Sequence, residues 1–273
     1  MNRKREERRT DVLNSRFSDM PFTPAHAAWL FPFRGIDKAN ISWTALFIGT
    51  MVPDLEYFIW LSPAAYNSHS LEGVFLFNLP MTFILSFIWH HTLVKALLPR
   101  LAFLRSDFKP ERYPDFIEWL KNKPIAFILS ALVGIFSHLI WDSFSHANGY
   151  LAHKIPFLID ESIVGGIKIR HCYIVWYVST FVGLLVMAYW MISIKKIFNR
   201  ETWKLFFKGS SFWGKIMFAA GLIAVSRIAL GLSWNWTRHL VIITIGSLFY
   251  ATILVCYLDR WMVNKKEKAG PLS

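Results

Sequence analysis

The stretch of sequence that decides the fold covers residues 124–146 and reads PIAFILSALVGIFSHLIWDSFSH. It is apolar almost without interruption as far as Ser137, and its polar residues gather at the end. A helix needs about 20 such residues to cross the hydrocarbon core of a bilayer, so the stretch is long enough for one transmembrane helix. Its apolar residues do not alternate with polar ones, which excludes a strand of a membrane β-barrel.

Similar apolar runs recur along the whole chain. The 273 residues are 54% hydrophobic and include 13 Trp and 24 Phe, which is more apolar than a soluble domain of this length. We therefore predict an all-α integral membrane protein with about six transmembrane helices. The predicted spans cover residues 41–61, 74–94, 124–146, 172–194, 212–232 and 239–259.

The formal net charge of +12 is distributed unevenly between the predicted loops. Lys and Arg concentrate in alternate loops, as they do in the cytoplasmic loops of membrane proteins. This predicts a multi-pass protein of the cell inner (plasma) membrane with both termini in the cytoplasm. It also favours membrane lipids over nucleic acid as partners, because no nucleic-acid recognition motif accompanies the charge. The basic-rich segments are 1–40 with eight Lys and Arg, 95–123 with seven, 195–211 with five and 260–273 with four.

The chain is predicted to form one membrane domain, over residues 20–262. Residues 1–19 mix basic and acidic side chains, so we expect a disordered extension there. Residues 263–273 are expected to form a cytoplasmic tail. Most of the histidines and the acids within the spans lie in 20–150, so 151–262 is interpreted as a set of supporting helices.

The sharpest polar motif closes the third predicted span. His138, Asp142 and His146 are four residues apart, which places them on one face of a helix over two turns. Two imidazoles and a carboxylate are good ligands for a first-row metal, with zinc the usual choice for such a set. The alternative interpretation is a network of hydrogen bonds between helices, with His138 and Asp142 paired.

A second motif, Pro53-Asp54-Leu55-Glu56, lies in the first predicted span. Proline in a helix frees a backbone carbonyl and kinks the chain. A carboxylate beside a kink in a membrane helix usually faces the interior of the bundle. Asp54 and Glu56 point to different faces, so we predict Asp54 as a metal ligand and Glu56 as a supporting acid.

The loop before the second span contributes His69 and Glu72. Ser68 or Ser70 can cap a helix start there, which would place His69 and Glu72 on one face. The charge distribution places this loop on the same outer side as His138. We therefore predict His69 as a further ligand, and Glu56 or Glu72 as general base or as a group that supports the ligands.

Two more histidines are candidates whose position conflicts with this outer site. Thr23 and Pro24 begin a short helix that carries His26 and is too short to span the bilayer. It starts on the cytoplasmic side, so a re-entrant path is needed to bring His26 to the site, and an interfacial helix is the alternative. His90 lies near the inner end of the second span and is predicted as a ligand, with an interfacial histidine as the alternative.

Four of these motifs, taken in order, resemble a bacterial membrane protein family of unknown function, domain of unknown function 4184. The resemblance is carried well over about residues 20–150 and implies Met20 as the family-like start. More loosely, the Pro-Asp and His-Ser motifs are similar to those of membrane-bound metal-dependent hydrolases, and more remotely the pattern resembles zinc-dependent phospholipases C. The motifs are Met20-Pro21-Phe22-Thr23-Pro24-Ala25-His26, Pro53-Asp54-Leu55-Glu56-Tyr57, His69-Ser70 with Trp89-His90, and Ser137-His138 through Trp141-Asp142 to His146.

The sequence thus predicts a metal-dependent membrane hydrolase that acts on a lipid or lipid-linked phosphoester near the outer face of the membrane. A divalent metal, expected to be zinc, would activate water for the reaction. Two alternatives remain open: a transporter of ions or small solutes, and a non-catalytic membrane scaffold whose polar residues pack helices. The predicted metal ligands are His26, Asp54, His69, His90, His138, Asp142 and His146.

Overall fold

The computed structural model of the protein describes most of the chain. The predicted extension at 1–19 and the family-like start at Met20 lie outside the described residues, as do parts of the basic loops. The described residues are 23–33, 40–63, 67–97, 100, 115–164, 166–193, 210–232 and 236–269.

Long apolar helices dominate the fold. Among the described residues, five helices are long and apolar enough to cross a bilayer, and they coincide with predicted spans two to six. The protein is therefore a helical membrane protein. The five helices are α3 (Leu71–Leu97), α5 (Pro124–Ser145), α8 (His171–Ser193), α9 (Ser210–Ala229) and α10 (Trp236–Ala269).

The first predicted span is broken into two short helices, α1 (Trp43–Gly49) and α2 (Val52–Trp60). Pro53 lies in the first turn of α2 and has no N–H to offer to the carbonyl of Gly49. A continuous helix therefore loses a hydrogen bond at this point, and the chain breaks at Thr50 and Met51. The predicted kink near Asp54 is present, as an interruption just before Pro53.

A close contact between glycines joins α1 to α5. A Cβ atom on Gly49 would lie 2.7 Å from the carbonyl oxygen of Ala131, and one on Gly134 would overlap the carbonyl of Leu46. The two backbones touch because neither glycine has a side chain, a device common between membrane helices. The backbone N–H of Ser42 also donates to Oγ of Ser130, at 3.0 Å.

The N-terminal segment, Thr23–Phe33, forms a 3₁₀ helix along α8. Ala25 contacts Gly183, where an added Cβ would lie 2.9 Å from Cβ of Ala25. Further along, the ring of Phe31 lies 6.1 Å from that of Tyr189. The predicted short helix at His26 is thus present, and it packs beside the middle of a membrane helix.

The supporting half is built from α9 and α10. A small core joins these helices to the end of α3 and includes Ala96, Phe212 and Ala251. Nη2 of Arg100 lies 2.8 Å from Oδ1 of Asp259, and the guanidinium also stacks over the ring of Phe212. Helix α10 continues to Ala269, well past the predicted end of its span at residue 259 and into the predicted tail.

Several short elements lie outside the long helices. Helix α4 (Phe116–Asn122) starts at Asp115, whose carboxylate accepts from the N–H groups of Ile117 and Glu118. These two hydrogen bonds lower the pKa of Asp115. Between α5 and α8 lie α6 (Tyr150–Lys154), α7 (Pro156–Ile159) and an antiparallel hairpin of β1 (Glu161–Val164) and β2 (Ile167–Arg170). The all-α prediction missed this hairpin, whose turn contains Gly166 at φ +80°.

The glycine contact can be tested with Gly134→Ala. The added Cβ meets backbone atoms that cannot rotate away, so we expect α1 and α5 to separate and the fold to lose about 1–3 kcal/mol. The readout is the thermal midpoint of the purified protein in detergent, followed by size-exclusion chromatography. Gly221→Ala is the matched control, because nothing lies within 4 Å of a Cβ at that position. Equal midpoints for the two variants would contradict the role of the contact.

Candidate metal centre

Four side chains from three separate segments meet at one end of α5. Asp54 comes from α2, His69 from the loop before α3, and His138 and Asp142 from α5. One nitrogen or oxygen atom of each lies within 4.8 Å of the corresponding atoms of the others. His138 and both aspartates are buried, whereas the side chain of His69 is 32% exposed. The cluster is therefore closed on the protein side and open beside His69.

The spacing of the donor atoms suits a metal of zinc size. Donor atoms of a tetrahedral site with bonds of about 2.0–2.1 Å lie roughly 3.3–3.4 Å apart. Nε2 of His138 lies 3.1 Å from Oδ2 of Asp142 and 3.7 Å from Oδ1 of Asp54. Nε2 of His69 lies 3.4 Å and 3.6 Å from the same two oxygens. The observed separations bracket the expected one.

The break between α1 and α2 orients His138. Nδ1 of this histidine lies 2.8 Å from the carbonyl oxygen of Thr50, so it is assigned as the N–H donor. Nε2 then carries a lone pair and faces the two aspartates, as metal-bound histidines do when their other nitrogen donates to a carbonyl. Thr50 itself is buried, and its carbonyl is available because the helix is interrupted there.

A buried acid holds the loop that carries His69. Oε2 of Glu56 accepts hydrogen bonds from the backbone N–H groups of Ser68, at 2.9 Å, and Asn67, at 3.2 Å. The side-chain amide of Asn78 donates to the carbonyl of Ser68, at 2.7 Å. Oγ of Ser68 lies 3.0 Å from Nδ1 of His69, which leaves Nε2 for the cluster. Glu56 thus positions the candidate ligand His69, and its carboxylate is directed at the loop.

The two buried carboxylates of the cluster would be stabilised by a cation. Nε2 of His138 and Oδ1 of Asp142 are buried and make no hydrogen bond with any described residue. Burial opposes a charge on His69, but its hydrogen bonds to Asp142 and Asp54 outweigh this and raise its pKa to about 10. In the absence of a metal, a proton on His69 therefore offsets part of the carboxylate charge. A divalent ion would offset it more fully.

Two further predicted ligands flank the cluster on the side of Asp142. The ring of His26 stacks on that of His138, with centroids 4.1 Å apart, and its Nε2 lies 3.6 Å from Oδ1 of Asp142. Nδ1 of His146 lies 3.7 Å from the same oxygen. His146 comes just after the end of α5 and has an extended backbone, so it does not continue the helix face predicted for it. Both imidazoles nevertheless lie beside the four donors.

The structure does not bring His90 to the cluster. Its Nε2 lies 2.9 Å from Oγ1 of Thr44, and its ring stacks on Phe116. His90 follows Leu71 by 19 residues along α3, which corresponds to roughly 28 Å of helix. His90 was already predicted near the inner end of this span, away from the outer site, and its contact with Thr44 agrees with that position.

The proposed catalytic acids also differ from expectation. Glu72 is exposed in the first turn of α3 and is not one of the four clustered residues. The carboxylate of Glu56 accepts hydrogen bonds from the backbone of the loop, so it affects the cluster only by holding the segment that carries His69. The sequence analysis missed Thr50 and Asn78, although an asparagine within an apolar span was a usable signal.

The role of Glu56 predicts an effect on metal affinity. Glu56→Gln keeps the size of the side chain but weakens the two charge-assisted bonds from the loop, so His69 is held less firmly. We expect zinc affinity to fall about 10–100-fold, the range typical of groups that orient a ligand. A competition titration of the metal-free protein against a chromophoric chelator measures this. Glu72→Gln should keep wild-type affinity, and equal affinities in the two variants would contradict the assignment.

Comparison with known proteins places the chain in a family. No curated protein and no solved structure is significantly similar to it. A family model does match, and it extends to residue 257, much further than the motif resemblance over 20–150 suggested. All four clustered residues fall within the match. The chain belongs to the family described as Domain of unknown function (DUF4184), whose model covers residues 20–257.

Proposed function

We propose that the protein is a metal-dependent membrane hydrolase acting on a lipid or lipid-linked phosphoester near the outer face of the membrane, with zinc as its metal. The observation that carries the proposal is the cluster of Asp54, His69, His138 and Asp142. It combines two imidazoles with two carboxylates, and the four nitrogen–oxygen separations between them are 3.1–3.7 Å, close to those around a tetrahedral zinc. A catalytic zinc keeps one coordination position for water. With all four side chains bound, that water would be a fifth ligand, on the side where His69 is exposed.

A metal held by these residues would lower the pKa of a bound water from about 16 toward 7. The proton of that water needs an acceptor near the ligands. His26 and His146 both lie within 3.7 Å of Oδ1 of Asp142, so they replace Glu56 and Glu72 as candidates for this role. His26 is the more buried of the two and is fixed by its stack on His138.

The surroundings of the cluster favour a lipid substrate. Ile140 and Trp141 lie on α5 next to Asp142, and both are exposed on a helix that is apolar enough to span the bilayer. Acyl chains would contact these side chains from within the membrane. An anionic phosphoester at the headgroup would then lie near the cluster, and the charge of the metal would attract it.

Contacts between α1 and α5 support a sixth membrane crossing, formed by α1 and α2. The α1 end at Ser42 meets Ser130, and Thr50 meets His138, so α1 runs in the same direction as α5. Residues 43–60 extend over about 27 Å as helix, close to the thickness of the hydrocarbon core. We propose that α1 and α2 cross together as a broken helix. With six crossings, both termini lie on one side, the cytoplasmic side of the inner membrane indicated by the charge distribution.

The N-terminal 3₁₀ helix is proposed to be re-entrant. His26 contacts His138 near the cluster end of α5, whereas Phe31 contacts Tyr189 near the far end of α8. Asn40, the first described residue after a gap, accepts from Lys123 at the start of α5. This path enters the bundle and returns to the cytoplasmic side, which reconciles His26 with an outer site.

A second candidate function, transport, is favoured by one observation. Polar side chains recur every four residues along α3 and extend from the cluster end toward the opposite end. The hydroxyls of Thr82 and Ser86 donate to carbonyls of their own helix, so they are already satisfied. Satisfied hydroxyls also fit the third possibility, a scaffold in which polar residues only pack helices. The polar side chains that recur every four residues along α3 are those of Asn78, Thr82, Ser86 and His90.

Metal content is the first test of the hydrolase. We expect stoichiometric zinc in the purified wild-type protein and its loss in the isosteric variant Asp142→Asn, because a neutral amide is a poor zinc ligand. Elemental analysis of protein purified without added metal measures this. His90→Ala is the control and should retain the metal. Absence of stoichiometric metal from the wild type would refute the proposal.

Turnover and flux separate the first two candidates. For a hydrolase, we expect cleavage of a phospholipid or lipid diphosphate in detergent micelles, with a loss of at least about 100-fold in Asp142→Asn and little change in His90→Ala. For a transporter, we expect uptake of zinc or protons into proteoliposomes, and His90→Ala should impair it. A folded protein that shows neither activity would favour the scaffold.

A further inference from the structure

The segment between α5 and α8, residues 149–170, packs one face firmly onto the membrane helices. Ala152 and Leu158 are buried in a small core with Cys172 and Tyr173, which belong to the first turn of α8. At the other end, a Cβ on Gly149 would collide with the carbonyl of Ser143, so glycine allows the chain to fold back directly onto α5. We call residues 149–170 the cap segment.

His171 fastens the cap segment to the start of α8. Its Nδ1 lies 2.7 Å from the carbonyl oxygen of Phe157, and its Nε2 lies 2.7 Å from Oγ of Ser162. Its backbone N–H donates to the carbonyl of Asp160, at 3.0 Å. Both α5 and α8 are candidate membrane spans, and the cap segment begins four residues after one and ends directly before the other. It is therefore held within a few residues of the bilayer surface.

The cap segment also exposes several large apolar side chains. Tyr150 is 70% exposed, Phe157 63% and Ile163 71%, and Ile155 and Val164 are exposed as well. Scattered exposed apolar residues are ordinary, but five large ones within a segment this short form a surface that soluble proteins avoid. Something apolar is expected to cover it.

Basic side chains accompany this apolar surface. Lys154 and Lys168 are exposed, and the ammonium of Lys154 lies 5.6 Å from the centre of the Tyr150 ring. Lys168 is the cross-strand partner of Ile163, so both project from the same face of the hairpin. Tyrosine and lysine next to aliphatic side chains are typical of the membrane interface, where apolar stems contact lipid and ammonium groups reach the phosphates.

We propose that the cap segment lies in the membrane–water interface at the cluster end of the bundle, with Phe157 and Ile163 in contact with lipid. The occupant of the exposed apolar surface is the bilayer, because the flanking membrane spans hold the segment at its surface. The proposal does not depend on metal binding or catalysis. It gives this end of the bundle a lipid-contacting surface that begins three residues after His146.

A nitroxide label at Ile163→Cys tests the proposal in the full-length protein, reconstituted into vesicles of phosphatidylethanolamine and phosphatidylglycerol. Its collision rates with oxygen, which concentrates in lipid, and with a water-soluble nickel chelate are compared. Val178→Cys is the lipid control, since this residue is 56% exposed within α8. Lys265→Cys is the aqueous control, because α10 extends about 51 Å and exceeds the roughly 30 Å hydrocarbon core. The native cysteines Cys172 and Cys256 are buried, and unmodified protein measures any background labelling.

We expect the ratio of oxygen to nickel collisions at Ile163 to be several-fold higher than at Lys265 and to approach the ratio at Val178. A ratio equal to that at Lys265 would overturn the proposal, because it would place the hairpin in water. Low collision rates with both reagents would overturn it as well, since they would mean that a protein surface, such as a second copy of the chain, covers this apolar surface. Size-exclusion chromatography of the unlabelled protein then shows whether a second copy of the chain is the covering surface.

Discussion

The candidate metal centre depends on one hydrogen bond, from Nδ1 of His138 to the carbonyl of Thr50. That carbonyl is free to accept because Thr50 lies in the break between α1 and α2. It is close enough because Gly49 and Gly134 allow the two helices to touch through their backbones. The bond sets the tautomer and direction of His138, and through them the position of the nitrogen that faces the aspartates.

Around this bond, His69 and the neighbouring His26 are held by separate contacts. Glu56 and Asn78 bind the backbone of the loop that carries His69, so a buried charge serves to fix a loop. His26 arrives on a 3₁₀ helix that packs against Gly183. Burying two aspartates at the end of a membrane helix costs several kcal/mol unless a cation compensates them. The convergence of imidazoles on both carboxylates is consistent with that requirement, and it supports the proposed metal more directly than it supports a particular substrate.

The success of the sequence analysis varied from residue to residue for identifiable reasons. His138 and Asp142 were brought together correctly because both lie within one regular helix, where a spacing of four fixes the geometry. Asp54 was predicted correctly as a member because an acid beside a proline in an apolar helix usually faces the interior of the bundle. His146 was placed on the same face wrongly, since α5 ends at Ser145. The distance of His90 from the cluster was already indicated by the charge distribution, which placed it near the inner end of its span. The attachment of Glu56 to the loop depends on contacts between segments, about which periodicity gives no information.

The sequence by itself determined that this is a helical membrane protein, where five of its membrane helices lie, and which part of the chain carries the polar residues. These are local properties, because the length of an apolar run must match the bilayer and every backbone group must be satisfied within its own helix. Only the tertiary structure decided that the first predicted span is broken, that His26 lies beside the cluster, and that Glu56 holds a loop. Those outcomes depend on close packing between segments far apart in sequence, and an ångström of difference between two backbones, as at Gly49 and Gly134, decides which donors meet.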